Sequence, residues 1–212
     1  MNGDNPIHSF NDFNEFIGGH SATPSHWDAT TSAKLYSYCQ ELLKWNKKIR
    51  LTAAKDLDDL SRNHISDALH LIEDIPKEST SALDVGSGGG LPVIPFAIAT
   101  PNISWTSLEA IAKKSAFLNH IKRVLELKNF TSLNIRFEDY AAKNIQHDVS
   151  VARAVWPPDV WLEKAKTVTR KSGTILILEA SNLLTQKDDV NRRHYKVNGK
   201  KRSVVRVLNN QH

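Results

Sequence analysis

Residues 83–91 read Leu-Asp-Val-Gly-Ser-Gly-Gly-Gly-Leu, an acid followed by glycines two apart: Asp84-x-Gly86-x-Gly88-x-Gly90. Glycines at that spacing let the backbone turn sharply and let a ligand approach without Cβ collisions. A helix starting just after them would turn its unpaired N–H groups toward the same ligand. A dinucleotide fingerprint needs Gly-x-Gly-x-x-Gly, and Leu91 occupies the place of its third glycine. A P-loop fails as well, because no Gly-Lys-Ser/Thr follows. Glu109 ends the next apolar run, about 20 residues on, where a carboxylate can accept both hydroxyls of a ribose. Adenosine without a pyrophosphate suits this set. A tight turn followed by an ordinary exposed acid is the other reading.

These residues need strands and helices to hold them. Strands are expected over 81–85, 103–109, 131–137, 148–154 and 174–178, and helices over 92–100, 112–127 and 158–169. Pro92 and Pro95 fit only because they fall in a first helical turn. In the third strand, alternation puts Leu133, Ile135 and Phe137 on one face. Strands alternating with helices imply a mostly parallel sheet covered on both faces, a Rossmann-like α/β fold.

Upstream, Phe10, Phe13, Phe16 and Ile17 are helically spaced, and helices are expected over 32–48 and 57–75, the latter ended by Pro76. Downstream, Asn198-Gly199 between 194–197 and 203–208 predicts an antiparallel hairpin on a type I′ turn. Residues 1–76 are therefore expected to form a helical extension, and 77–212 one compact unit.

With 212 residues, 40% of them hydrophobic, the chain can bury the core of a single domain. The most apolar run, 91–99, is too short and too proline-rich to span a membrane. No basic and then apolar leader opens the chain, and the single Cys39 excludes a disulfide framework. A cytoplasmic monomer is expected.

Several short segments, in order, resemble the bacterial 16S ribosomal RNA guanine-N7 methyltransferases, also called glucose-inhibited division protein B. They are Trp45-Asn46, Leu51-Thr52-Ala53, His64-Ile65-Ser66-Asp67-Ala68-Leu69, the loop from Asp84 to Pro92, Lys113-Lys114 with Phe117-Leu118, and Ala152-Arg153-Ala154. The resemblance covers residues 42–178. It implies a class I fold dependent on S-adenosylmethionine, with methyl transfer to N7 of a guanine in small-subunit ribosomal RNA. It further implies that Gly86, Gly88 and Leu91 line the methionine side of the cofactor and that Glu109 holds the ribose. Phe137 and Glu138, at the end of the third strand, would flank the adenine. Arg153, ending the fourth strand, would reach the cofactor or the base. Arg50 stands where the family usually has Asn, Val93 where it has a small residue, and Glu179-Ala180 where it has Lys-Gly. A Glu in place of that Lys would add repulsion near an RNA face.

Guanine N7 offers a free lone pair, so in-line methyl transfer needs alignment rather than a base, and no catalytic acid or base is assigned. Covalent carbon-5 methylation would need a reactive thiol, whereas Cys39 reads as core. Amine methylation often uses Asp/Asn-Pro-Pro-aromatic; here Trp156-Pro157-Pro158-Asp159 opens on a residue that cannot accept from an amine. Trp156 either stacks on a base or packs. The nine histidines show no metal-ligand spacing, so no metal is expected.

All 28 Lys and Arg, but only 19 of the 23 acids, lie beyond residue 33, a net +9 that suits a polyanion. Lys47 and Lys48, Lys113 and Lys114, and Arg202 of the hairpin are candidate phosphate contacts. The expected partner is 16S ribosomal RNA or the small subunit. The alternatives are a paralogue methylating another RNA or a small molecule, and a catalytically silent cofactor- and RNA-binding protein.

Overall fold

The computed structural model describes residues 5–179 and 190–210. A seven-stranded sheet in the order β3-β2-β1-β4-β5-β7-β6 forms the centre. Five strands are parallel: β1 (Ser81–Val85), β2 (Ser104–Leu108), β3 (Phe130–Leu133), β4 (His147–Ala152) and β5 (Thr169–Glu179). The hairpin of β6 (Val190–Val197) and β7 (Lys200–Leu208) closes one edge, β7 running antiparallel to β5. Asn198 and Gly199 turn it with φ of 46° and 73°, the left-handed pair a type I′ turn requires.

The period of two along each strand divides the core. Ala82, Val149, Val151, Leu176 and Val204 face a large cluster built with the N-terminal helices, α5 (Val93–Ala99) and α6 (Ala112–Val124). Leu83, Ala152, Ile175, Ile177 and Val205 face a smaller one, with α7 (Phe137–Ala141) and α8 (Pro158–Lys166). The N-terminal helices are α1 (Phe10–Gly19), α2 (Ala29–Asn46), α3 (Leu57–Leu60) and α4 (Ser66–Ile72). Caps fix their starts: Ser9 and Asp12 form a capping box on α1, and Asp28 accepts from Thr31 N at 2.7 Å on α2. Cys39 is buried in the larger cluster.

Two expectations need correction. The helix expected over 57–75 is interrupted by a π-turn at Ser61–Ile65 and its α4 portion ends at Ile72. The strand expected over 131–137 stops at Leu133, and Phe137 and Glu138 open α7 instead. The Asn134 side chain donates to the carbonyls of Glu109 (2.8 Å) and Ala110 (3.0 Å), diverting the chain from the ladder. Phe137 and Tyr140, three apart, then bury together as a helical face.

Candidate cofactor and nucleic-acid site

The order of strands reverses between β1 and β4, and the glycine loop leaves β1 at that point, where open α/β sheets bind ligands. Both Gly86 N–H and Ser87 N–H donate to Leu108 O, at 2.8 and 3.3 Å, tying the loop to β2. Gly86, Gly88 and Gly90 all have positive φ. The loop has a packed side and an open side. A Cβ on Gly90 would lie 2.5 Å from Ile94, and one on Gly89 2.9 Å from Leu51 O. Behind them Tyr38, fully buried on α2, donates its hydroxyl to Gly89 O at 2.6 Å. A Cβ on Gly88 would meet nothing nearer than 3.8 Å. The N-terminal helices thus press the loop from behind and leave Gly88 facing free space. Leu91 closes the loop, half-buried against the larger core.

Two buried carboxylates stand beside this opening. Glu109 is 5% exposed, and it accepts Gly88 N–H at Oε2 and Ile111 N–H at Oε1, both at 2.8 Å. Its head is therefore fixed against the loop. Asp84 is 1% exposed and its Oδ2 has no hydrogen-bond partner. Burial pushes its carboxyl up to about 7; the neighbouring Glu109 charge adds to this, while Ser87 and Arg153 oppose it. A buried acid with an unpaired oxygen and a raised titration, next to a glycine loop, is the kind of group that gathers at functional sites.

Phe137 and Glu138 lie on α7 with an aromatic cluster. Phe137 meets Trp156 edge-on at 5.3 Å, and Trp156 stacks on the buried Trp161 at 5.9 Å with planes 4° apart. Lys164 Nζ sits 5.1 Å from both the Phe137 and Trp156 rings and 3.0 Å from Glu138. The hydrogen bond from Lys164 holds the exposed Glu138 carboxyl below its usual value.

Arg153 follows β4 directly, and Ala154 after it is left-handed at φ 56°. The guanidinium pairs with Asp67 at 3.0 Å and meets His64 Nδ1 at 3.5 Å. Asp67 also accepts the Tyr195 hydroxyl at 2.8 Å. Sequence reasoning gave Tyr38, Asp67 and Tyr195 no role. Asp67 sits inside the His64–Leu69 motif and so carried a signal; nothing in the local sequence marks the two tyrosines.

The family model for rRNA small subunit methyltransferase G matches residues 31–212. The chain belongs to the rRNA small subunit methyltransferase G family. The Helicobacter pylori (strain ATCC 700392 / 26695) protein of that name is 38% identical over 156 residues, covering 74% of this chain and 84% of its own. That of Chloroflexus aggregans is 35% identical over 161 residues, covering 73% and 68%. An O-methyltransferase from Bacillus cereus, solved in complex with SAH, superposes with a TM-score of 0.61 at 14% identity, covering 94% of this chain and 100% of its own. A SAM-dependent methyltransferase from Aquifex aeolicus gives 0.52 at 14% identity, covering 72% and 94%. The fold is that of class I methyltransferases, and S-adenosylmethionine is the methyl donor. The residues fit that donor: an open glycine cradle, a fixed carboxylate beside it, and a buried acid with an unpaired oxygen.

In this member of the rRNA small subunit methyltransferase G family, three of the residues expected to contact phosphate, Lys113, Lys114 and Arg202, lie past the carboxyl ends of β2 and β5. Lys47 and Lys48 are exposed just after α2. Lys113 and the half-buried Lys114 lie in the first turn of α6, after β2. Ser203 pairs with Glu179, the last residue of β5, so Arg202 lies beyond that strand's end. The expected repulsion from Glu179 needs correction. Its side chain is fully buried, ion-paired with Arg192 and accepting from Ser203 Oγ at 3.2 Å, so no bare charge faces outward. Ala180 lies outside the described residues. Among the described residues no group of three His, Cys, Asp or Glu could hold a metal, and no helix is long and apolar enough to cross a membrane.

Proposed function

We propose that the chain methylates N7 of a guanine in 16S ribosomal RNA, acting as a cytoplasmic monomer on RNA of the small subunit. The observation that carries this reading is the open Gly88 cradle with its fixed Glu109 at the carboxyl end of β1 and β2. The lysines that open α6, just after β2, support it.

S-adenosylmethionine supplies a methyl group already activated on a sulfonium sulfur. Gly86, Gly88 and Leu91 line its methionine side, and Glu109 accepts from the ribose hydroxyls. Phe137 walls the adenine, and Glu138 accepts from its amino group after exchanging its bond to Lys164. Arg153 pairs with the donor's carboxylate. Lys47, Lys48, Lys113, Lys114 and Arg202 hold phosphates and set position.

Guanine N7 offers its lone pair without losing a proton, so the residues would only have to hold that nitrogen in line with the donor's methyl group. No proton moves, so the protein's task is alignment and water exclusion. Residues 77–212 act as the transferase unit, and the helices of 1–76 brace its loop.

The test is transfer of tritiated methyl groups to small subunits from a strain lacking this gene, beside subunits from the parent. Label entering only the unmodified subunits, recovered as 7-methylguanosine, is the expected result. Confirmed donor binding with no label in either would overturn the assignment and favour a paralogue or a silent binding protein.

A further inference from the structure

Arg153 does not stand alone at the donor edge. Its partner Asp67 is 4% exposed and uses both oxygens, Oδ2 for Arg153 at 3.0 Å and Oδ1 for the Tyr195 hydroxyl at 2.8 Å. The three residues come from α4, the end of β4 and the C-terminal hairpin.

The hairpin is zipped onto one face of the α3–α4 rod. Asn198 donates to Asn63 at 3.2 Å, and Tyr195 to Asp67. Arg193 pairs with Glu73 at 2.7 Å and with Asp74, and donates to His70 O at 2.5 Å. Positions 63, 67, 70 and 74, along the helical rod and the turn that ends it, meet 198, 195 and 193, in the hairpin turn and β6, in reverse order. The Tyr195 ring is itself clamped, 4.9 Å from His70 and 5.2 Å from the Arg193 guanidinium.

We infer that Asp67, locked by Tyr195, is a positioning residue that holds the Arg153 guanidinium in the orientation that receives the donor's carboxylate. The inference rests on the assignment of Arg153 to the donor. An arginine is a planar fork on a long flexible stem, and its bond to an anion is strongest when the plane is set beforehand. Asp67 engages one terminal nitrogen, with His64 at the longer 3.5 Å, and Arg153 remains partly exposed. A carboxylate bonded to one terminal nitrogen holds that end of the guanidinium and leaves its other N–H donors for a second anion. Because Tyr195 belongs to the hairpin that also carries Arg202, donor affinity and hairpin docking become linked.

The experiment is calorimetric titration of the full chain with S-adenosylhomocysteine, for wild type, Arg153→Gln, Asp67→Asn, Tyr195→Phe and the Asp67→Asn/Arg153→Gln double variant. Circular dichroism checks that each is folded. Arg153→Gln is expected to weaken binding by about tenfold or more, and Asp67→Asn and Tyr195→Phe by about fivefold. The double variant should bind no worse than Arg153→Gln alone, because a residue acting only through Arg153 adds nothing once Arg153 is gone. That non-additivity is a result a merely structural role would not give. If Arg153→Gln weakens binding while folded Asp67→Asn and Tyr195→Phe keep wild-type affinity, positioning is overturned and the role of Arg153 stands. If Arg153→Gln itself binds like wild type, the donor assignment of Arg153 fails and the inference falls with it. Should Asp67→Asn not fold, Tyr195→Phe decides alone: weakened binding supports the inference and unchanged binding overturns it.

Discussion

Strand β1 meets a carboxylate at each end, and the two acids are treated oppositely. At its start, Asp148 from β4 accepts from Thr80 N and Oγ1 at 2.9 Å, from Ser81 N at 3.0 Å and Ser81 Oγ at 3.1 Å, and pairs with Arg170 at 2.5 Å. Burial opposes ionisation there, but the hydrogen bonds from Thr80 and Ser81 outweigh it and draw the carboxyl down to about 2. Near its other end, Asp84 is buried with an orphaned oxygen beside Glu109 and is pushed up to about 7. The carboxylate at the start of the strand is satisfied by the protein itself. The one near its other end keeps an unpaired oxygen beside a second acid. Two carboxylates at the two ends of one strand are thus driven in opposite directions, and the raised one lies beside the glycine loop, where perturbed groups gather at binding sites.

The comparison is broken most sharply at the loop. Gly88→Val places a branched side chain at φ 56° in the open side of the cradle. It should reduce donor affinity by about 100-fold or more, at a stability cost of about 1–2 kcal/mol for the left-handed backbone. Calorimetry and urea unfolding measure the two effects; a stable variant with normal affinity would move the donor away from Gly88.

Asp148→Ala should do the reverse. Loss of a multiply bonded carboxylate costs about 2–4 kcal/mol in urea unfolding. Donor affinity, measured below the unfolding transition, should not change.

A smaller effect distinguishes the two acids by pH. Asp84 has a raised folded value, so its contribution favours folding below about pH 4 and is lost as pH rises through about 7. Asp148 has a lowered value, so its contribution is present above about pH 4 and lost as pH falls through about 2. Urea midpoints of the donor-free chain across pH 2–8 should lose the neutral slope in Asp84→Asn and the acid slope in Asp148→Asn. Unchanged slopes in both variants would dissolve the contrast.

The smallest effect belongs to the basic rim. Lys47→Ala or Lys113→Ala should each lower the magnitude of the salt slope of RNA binding by about 1, read by filter binding between 50 and 200 mM salt. Lys77→Ala, before the amino end of β1, should leave it unchanged.

Much of this site is written in residue type and local spacing. The loop from Asp84 to Leu91 shows itself because positive φ and close approach demand glycine, and Glu109 because it directly follows the next strand. Hydrophobic period and punctuation give the alternation of strands and helices and so a mostly parallel sheet, and Asn198-Gly199 gives the hairpin. Other parts were hidden for definable reasons. Leu133, Ile135 and Phe137 alternate like a strand, but Phe137 and Tyr140 also satisfy a short helix, and the Asn134 side chain decides between them. Glu179 reads as a misplaced negative charge until Arg192 is found across the sheet. Tyr195 and Asp67 are 128 positions apart, so only the docked hairpin brings them together. Local chemistry is legible in a sequence; partners supplied by tertiary packing are not.

The most direct test of the division between the two ends is amide hydrogen exchange with and without saturating S-adenosylhomocysteine. The donor should slow exchange at Gly86, Gly88 and Ile111, while Thr80, Ser81 and Asp148 at the opposite end keep their donor-free rates. Slowing confined to the Thr80–Asp148 end, with Gly88 and Ile111 unchanged, would contradict the placement of the donor on the glycine loop.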